Sequence, residues 1–267
     1  MVVQDKSSRK LDQFSHYFFS EEQSAAVPPL PRVEPFSPIL LLHTALADTK
    51  EQAVIARLLR ACAHTYGPVT LISSRLQKET WKRMLSLKEP VAAGQPLMLD
   101  EKVQLYFVAE TDLWQAITQK TNTQNCPVHA TREPGCLVFD TAGFGNDFID
   151  MVCAFADSMV SVVTLDTAQL VESYQHMKAY GSVNRLLHCY VVINSDRNDP
   201  RFPIVTTYFH RMAKKYLAIP LVCNYAEYDA AVPLAVPRIP VTHMQQTRNR
   251  FFAHEIRAYL SGKGQKT

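Results

Sequence analysis

"GCLVFDTAGFGNDFIDMVCAFADSMVSVVTLDTAQLVESYQHMKAYG", residues 135–181, sets the architecture of this chain. "GCLVFD" is a near-continuous apolar run that ends in Asp140, the pattern of a strand covered on both faces. "FGNDFIDMVCAFA" reads as a helix and "SMVSVVTL" as the next strand. "DTAQLVESYQHMKAYG" reads as a second helix, ended by Gly181.

The alternation continues on both sides. Upstream, "PILLLH" is a strand, and "KEQAVIARLLRACAHTY" is a helix with Ala53, Ile55, Ala56, Leu58, Leu59 and Cys62 on its apolar face. Gly67 and Pro68 stop it, and the strand "VTLIS" follows. "QKETWKRMLSL" is helical, "VQLYFVAE" is a strand and "TDLWQAITQK" is a helix. Downstream, "LLHCYVVINS" and "IPLVCNYA" are strands. "IVTTYFHRMAKKYLA" lies between them as a helix, and "TRNRFFAHEIRAYL" is a last helix. Apolar strands between helices imply a doubly wound α/β domain with a mostly parallel sheet, here over residues 38–262. Ligands on such sheets sit at the carboxyl ends of the strands.

Residues 1–37 read as a flexible, proline-rich N-terminal arm, from "AVPPLPRVEPFSP". The aromatic island "FSHYFFSEE" within it either packs back on the domain or serves as a docking peptide. The net charge of +3 is too small to argue for a nucleic-acid partner. No run is apolar for long enough to span a membrane, and the N-terminal stretch lacks the apolar core of a secretory signal. The six cysteines show no metal or redox spacing and read as buried thiols of a cytosolic protein. The nine histidines show no metal-ligand spacing and read as surface or core residues.

Asp140 is the clearest site candidate. It ends a buried strand and precedes Thr141, Ala142, Gly143, Phe144 and Gly145. An aspartate in this place either binds Mg²⁺ in a phosphate-handling site or caps the following loop.

Residues 136–180 resemble the middle of the ParA/MinD family of deviant Walker ATPases. In that family a strand ends in Asp-Thr-Pro-Pro-Gly or a variant. An Ala-Asp pair, an apolar strand, a Thr-Pro-like turn and a helix follow. Here Ala156-Asp157, Val162 to Thr164, Asp166-Thr167 and Ser173-Tyr174 fall in register. Asn194 takes the place of the family's adenine-contacting asparagine, and Asp229, Val232, Pro233 and Ala235 match a later segment. The resemblance implies a P-loop NTPase-type fold.

The family's phosphate loop, close to Lys-Gly-Gly-Val-Gly-Lys-Thr, is not matched. Its glycines let backbone N–H groups surround phosphates at a helix N-terminus. The corresponding segment here is "HTALADTKEQA", residues 43–53, and the first glycine of the sequence is Gly67. Asp48 would repel a phosphate by about 4 kcal/mol at 4 Å, so Asp48 or Thr49 reads better as an N-cap. The family's next strand ends in an aspartate, whereas this one ends in Ser73-Ser74-Arg75.

The expectation is therefore a pseudo-ATPase with a degenerate Walker A loop, no catalytic residue and no cofactor. The alternative is an ATP- and Mg-binding enzyme with an atypical loop. Lys50, Asp140, Thr141, Gly143 and Asn194 would then hold the nucleotide, and Asp140 the metal. The expected partner is a protein, engaged through the N-terminal arm, as a homodimer, or as a heterodimer with an active paralogue. A membrane surface, through Phe251, Phe252, Ile256, Tyr259 and Leu260, and DNA are the remaining partner classes. The expected location is the cytoplasm, with the inner-membrane periphery as the variant.

Overall fold

Apolar runs of five to seven residues set every strand but the short β-strand Leu97–Asp100, and amphipathic runs set the helices between them. The computed structural model describes residues 38–44, 50–84, 96–121, 135–196, 198–217, 221–226 and 243–262. In chain order these form β1 (Ile39–Thr44), α1 (Lys50–Tyr66), β2 (Val69–Ser74) and α2 (Lys78–Met84). Next come β3 (Leu97–Asp100), β4 (Val103–Val108), α3 (Glu110–Thr121), β5 (Cys136–Asp140) and α4 (Asn146–Phe155). They are followed by β6 (Ser158–Val163), α5 (Thr167–Val183), β7 (His188–Asn194), α6 (Arg201–Tyr216), β8 (Leu221–Ala226) and α7 (His243–Leu260). The expected arm over 1–37, the loop residues Asp48 and Thr49, and Asp229, Val232, Pro233 and Ala235 lie outside the described residues.

The strands form an eight-stranded sheet in the order β3-β4-β2-β5-β1-β6-β7-β8. Every neighbouring pair is parallel except β3 with β4. The chain leaves β1 towards β2 on one side, returns to β5, and crosses to β6 on the other side. That reversal brackets β1 and puts the crevice of a doubly wound sheet at the carboxyl ends of β5, β1 and β6.

Alternation along each strand splits the core into two layers. Leu40 and Leu42 of β1 pack with Val54, Ile55, Leu58 and Leu59 of α1 and with Trp81 of α2. Ile39 and Leu41 pack on the opposite face with Phe148 and Val152 of α4, Met177 of α5, Phe209 of α6 and Phe252 of α7. Helices thus cover both faces of a mostly parallel sheet, as the apolar runs predicted.

Three differences from the sequence reading have local causes. Strand β3 was not marked. It is four residues long, half exposed and, among the described residues, paired only to β4, so its pattern is too short to register. Gly181 does not end α5, which runs on to Val183. Asn184 ends it instead, donating its amide to the Cys153 and Ala156 carbonyls at 2.9 and 2.8 Å. Helix α6 starts at Arg201 rather than Ile204. Pro203 sits in its first turn, where no helical partner awaits its missing N–H.

The last helix is docked on the domain. Phe252 and Ile256 are fully buried, and Tyr259 and Leu260 pack against the same core. Asn249 Nδ2 donates to the buried Asp157 Oδ1 at 2.6 Å, and Asp157 Oδ2 accepts from the Ile39 N–H at 2.8 Å. The apolar face read as a membrane contact is spent on the core at these four residues. Among the described residues no helix is long and apolar enough to cross a membrane.

Candidate functional site

The carboxyl edge of β5 and β1 carries two side-chain groups on opposite sheet faces. Asp140 shares the layer of Cys136 and Val138, the α1 and α2 side. It is 2% exposed. Ser73 Oγ and Trp81 Nε1 both donate to Asp140 Oδ2 at 2.8 Å. The Ala142 N–H donates to Oδ1 at 3.0 Å. Burial pushes the carboxyl up from its ordinary value, and the three donors pull against that shift. Ser73, near the end of β2, thus spends its hydroxyl on Asp140.

The turn after Asp140 is built around this network. Ser74 Oγ accepts from the Leu76 N–H at 3.2 Å and caps the short 3₁₀ turn Arg75–Gln77. Gly143 has φ +76°, and a Cβ placed on it would meet Gln77 Cγ at 3.0 Å and Ser74 Cβ at 3.1 Å. Its lack of a side chain therefore serves positive φ and close packing on the β2 end. Gly145 caps α4 with no side chain of its own, and its N–H donates to Glu110 Oε2 at 2.6 Å. A carboxylate of the chain already stands at this helix N-terminus, where an anion is favoured.

On the other face, His43 projects with Ile39 and Leu41 towards α5. It is 5% exposed, and its Nδ1 lies 3.4 Å from Thr141 Oγ1. The Thr141 N–H donates to the Leu42 carbonyl at 2.9 Å, fixing that residue beside β1. Burial, with the charge of His176 second, pulls the His43 ring down to about 4. Helix α5 is held at its start by Asp166, whose Oδ1 accepts from the Gln169 N–H at 3.1 Å. Gln169 Oε1 accepts in turn from the Thr164 N–H at 2.8 Å. Ser173 Oγ donates to Ser161 Oγ at 2.7 Å and pins the helix on β6. These bonds bring His176 over His43, with ring centroids 4.2 Å apart.

Of the residues expected to hold nucleotide, Asp140, Thr141 and Gly143 are brought together behind β5. Lys50 opens α1, and Asn194 ends β7, two strands beyond β1. Asp140 has both carboxylate oxygens engaged by internal donors, Gly143 is closed by Ser74 and Gln77, and Glu110 faces the α4 terminus.

No protein-family model matches the chain, and no curated protein matches it. It is similar to solved structures. MinD cell division protein of Aquifex aeolicus is 10% identical, with 84% of this chain and 97% of that chain covered and a TM-score of 0.45. A plasmid partition protein of Borrelia burgdorferi is 10% identical, over 85% of this chain and 99% of that chain, with a TM-score of 0.41. A ParA family ATPase of Chlorobium tepidum is 9% identical, over 86% and 94%, with a TM-score of 0.41. These neighbours are of the kind that residues 136–180 resemble. The likeness is loose, so the doubly wound α/β class rests on the chain's own strand order.

The sequence reading passed over His43, Glu172 and His176. Glu172 and His176 stand four apart on a helix it had placed, which puts them on one face. Their third companion comes from β1, far away in sequence.

Proposed function

We propose that this chain is a non-catalytic, ParA/MinD-like pseudo-ATPase that works as a binding or scaffolding partner. The resemblance suggests its setting: positioning or assembling a bacterial machine such as a pilus, flagellum, secretion system, cellulose synthase or plasmid partition apparatus. The observation that carries the reading is the enclosure of Asp140. Its carboxylate is buried and satisfied by Trp81, Ser73 and the Ala142 N–H. To reach a metal it would have to give up a charge-assisted bond worth about 1.5–3 kcal/mol. The glycine-free stretch from residue 38 to 66 supports the same reading, because a phosphate cradle needs backbone with no Cβ in the way. A protein partner is supported by α6, which presents Ile204, Tyr208 and Tyr216 to solvent. Aromatic side chains of this kind anchor protein interfaces.

Calorimetry with Mg-ATP tests the proposal, together with an assay of phosphate release. No binding heat and no release above the buffer rate are expected. Saturable Mg-ATP binding that Lys50→Ala abolishes would overturn it.

A further inference from the structure

We propose that His43, Glu172 and His176 form a binding site for a first-row divalent transition ion of the zinc class, at the carboxyl end of β1. One ligand atom from each residue lies within 4.8 Å of the other two. His176 Nε2 and Glu172 Oε1 are 3.9 Å apart, four residues along α5. His43 supplies the decisive feature. Its Nε2 is buried and has no hydrogen-bond partner, while its Nδ1 lies 3.4 Å from Thr141 Oγ1. With the Thr141 hydroxyl as acceptor for Nδ1–H, the lone pair of His43 stands on Nε2, the nitrogen left over for a cation. Leaving such a buried acceptor unmatched costs about 1–3 kcal/mol, and a bound ion would remove that cost. Thr141 then acts as the outer partner that orients a ligating imidazole.

The donor set decides the ion class. Two imidazoles and one carboxylate suit zinc and its neighbours, whereas Mg²⁺ prefers an all-oxygen shell. Zinc bonds of about 2.0–2.1 Å in a tetrahedron separate the ligand atoms by roughly 3.3 Å. Glu172 and His176 are partly exposed side chains on their own helix, so rotation about their side-chain bonds closes the difference. His43 is the fixed point. Three protein ligands leave a fourth position for water or another donor, which is the pattern of an open zinc site. The site lies on the α5 face, opposite Asp140, and does not depend on the pseudo-ATPase reading.

The full chain, stripped of metal, is titrated with Zn²⁺ against a chromophoric chelator and with Co²⁺ followed by its visible d–d bands. One ion per chain is expected, with tetrahedral-type Co²⁺ bands and no displacement by excess Mg²⁺. Glu172→Ala and His176→Ala, at partly exposed positions, are expected to keep the far-UV circular dichroism. Each should weaken Zn²⁺ binding by more than about 100-fold, and the positioning variant Thr141→Val by about 10–100-fold. Equal Zn²⁺ uptake by wild type and both ligand variants, no uptake at all, or a thiolate-to-cobalt charge-transfer band reporting cysteine ligation would each overturn the proposal.

Discussion

Trp81 Nε1 and Asp140 Oδ2 meet at 2.8 Å, so an indole from α2 seals the carboxylate that ends β5. Trp81 is buried with α1 and the sheet, and its one polar atom points at the buried Asp140 carboxylate. Replacing it with phenylalanine keeps most of the apolar contact and removes the donor. Trp81→Phe is expected to destabilise the fold by about 1.5–3 kcal/mol, the usual worth of a hydrogen bond to a charged group. Urea unfolding followed by far-UV circular dichroism measures it. A midpoint equal to wild type would show that the bond contributes nothing.

Asp140 also gives the protein a pH dependence of known sign. Burial raises its carboxyl in the folded state, outweighing the donors Trp81, Ser73 and Ala142. The folded pKa therefore stands above the unfolded one. The contribution of this group to stability is fully present below the unfolded pKa and is lost as pH rises through the folded pKa. Asp140→Asn removes that titration. The stability difference, wild type minus Asp140→Asn, is expected to fall as pH rises from acid to neutral. Urea midpoints of both proteins across that range decide it, and two parallel curves would contradict it.

Gly143 separates two roles that the sequence cannot tell apart. A glycine after a strand-ending aspartate lets backbone approach either a phosphate or another part of the chain. Here the neighbours are Gln77 and Ser74, and φ is +76°. Gly143→Ala is expected to cost about 1–2 kcal/mol for the left-handed backbone alone, plus the contact with Gln77. Adding Gln77→Ala should recover the Gln77 part and leave the backbone part and the Ser74 contact. If the double variant is no more stable than Gly143→Ala, the crowding at Gln77 is not what holds this glycine in place.

Much of the architecture was legible because buried strands announce themselves. "PILLL", "CLVFD" and "YVVIN" have almost no polar residues, and the helices between them carry apolar positions at three- and four-residue spacing. Helix ends were less legible, since Gly181 was read as a stop while the real anchor is Asn184, bonded to carbonyls at the end of α4. The site was legible only in part. Asp140 could be picked out by its place at a strand end, but its partners Ser73 and Trp81 come from β2 and α2 and are joined by strand register. The meeting of His43 with Glu172 and His176 depends on β1 lying beside β6 and on the Ser173–Ser161 bond that fixes α5. No local pattern carries either fact.

Helix α7 tests whether an amphipathic terminal helix belongs to the core or to an external surface. Phe252 stacks on Phe155 at 4.6 Å between ring centroids and meets Phe139 at 6.1 Å. It is 2% exposed. Truncating it opens a cavity between α4, β5 and α7, so Phe252→Ala is expected to lower stability by about 3–5 kcal/mol. Asn249→Ala should add to this by leaving Asp157 Oδ1 without the donor 2.6 Å away. Thermal and urea unfolding measure both variants, alongside co-sedimentation with anionic vesicles. A helix that serves a membrane would behave in the opposite way: Phe252→Ala would leave stability unchanged and abolish vesicle binding, because its ring would have been outside the core all along.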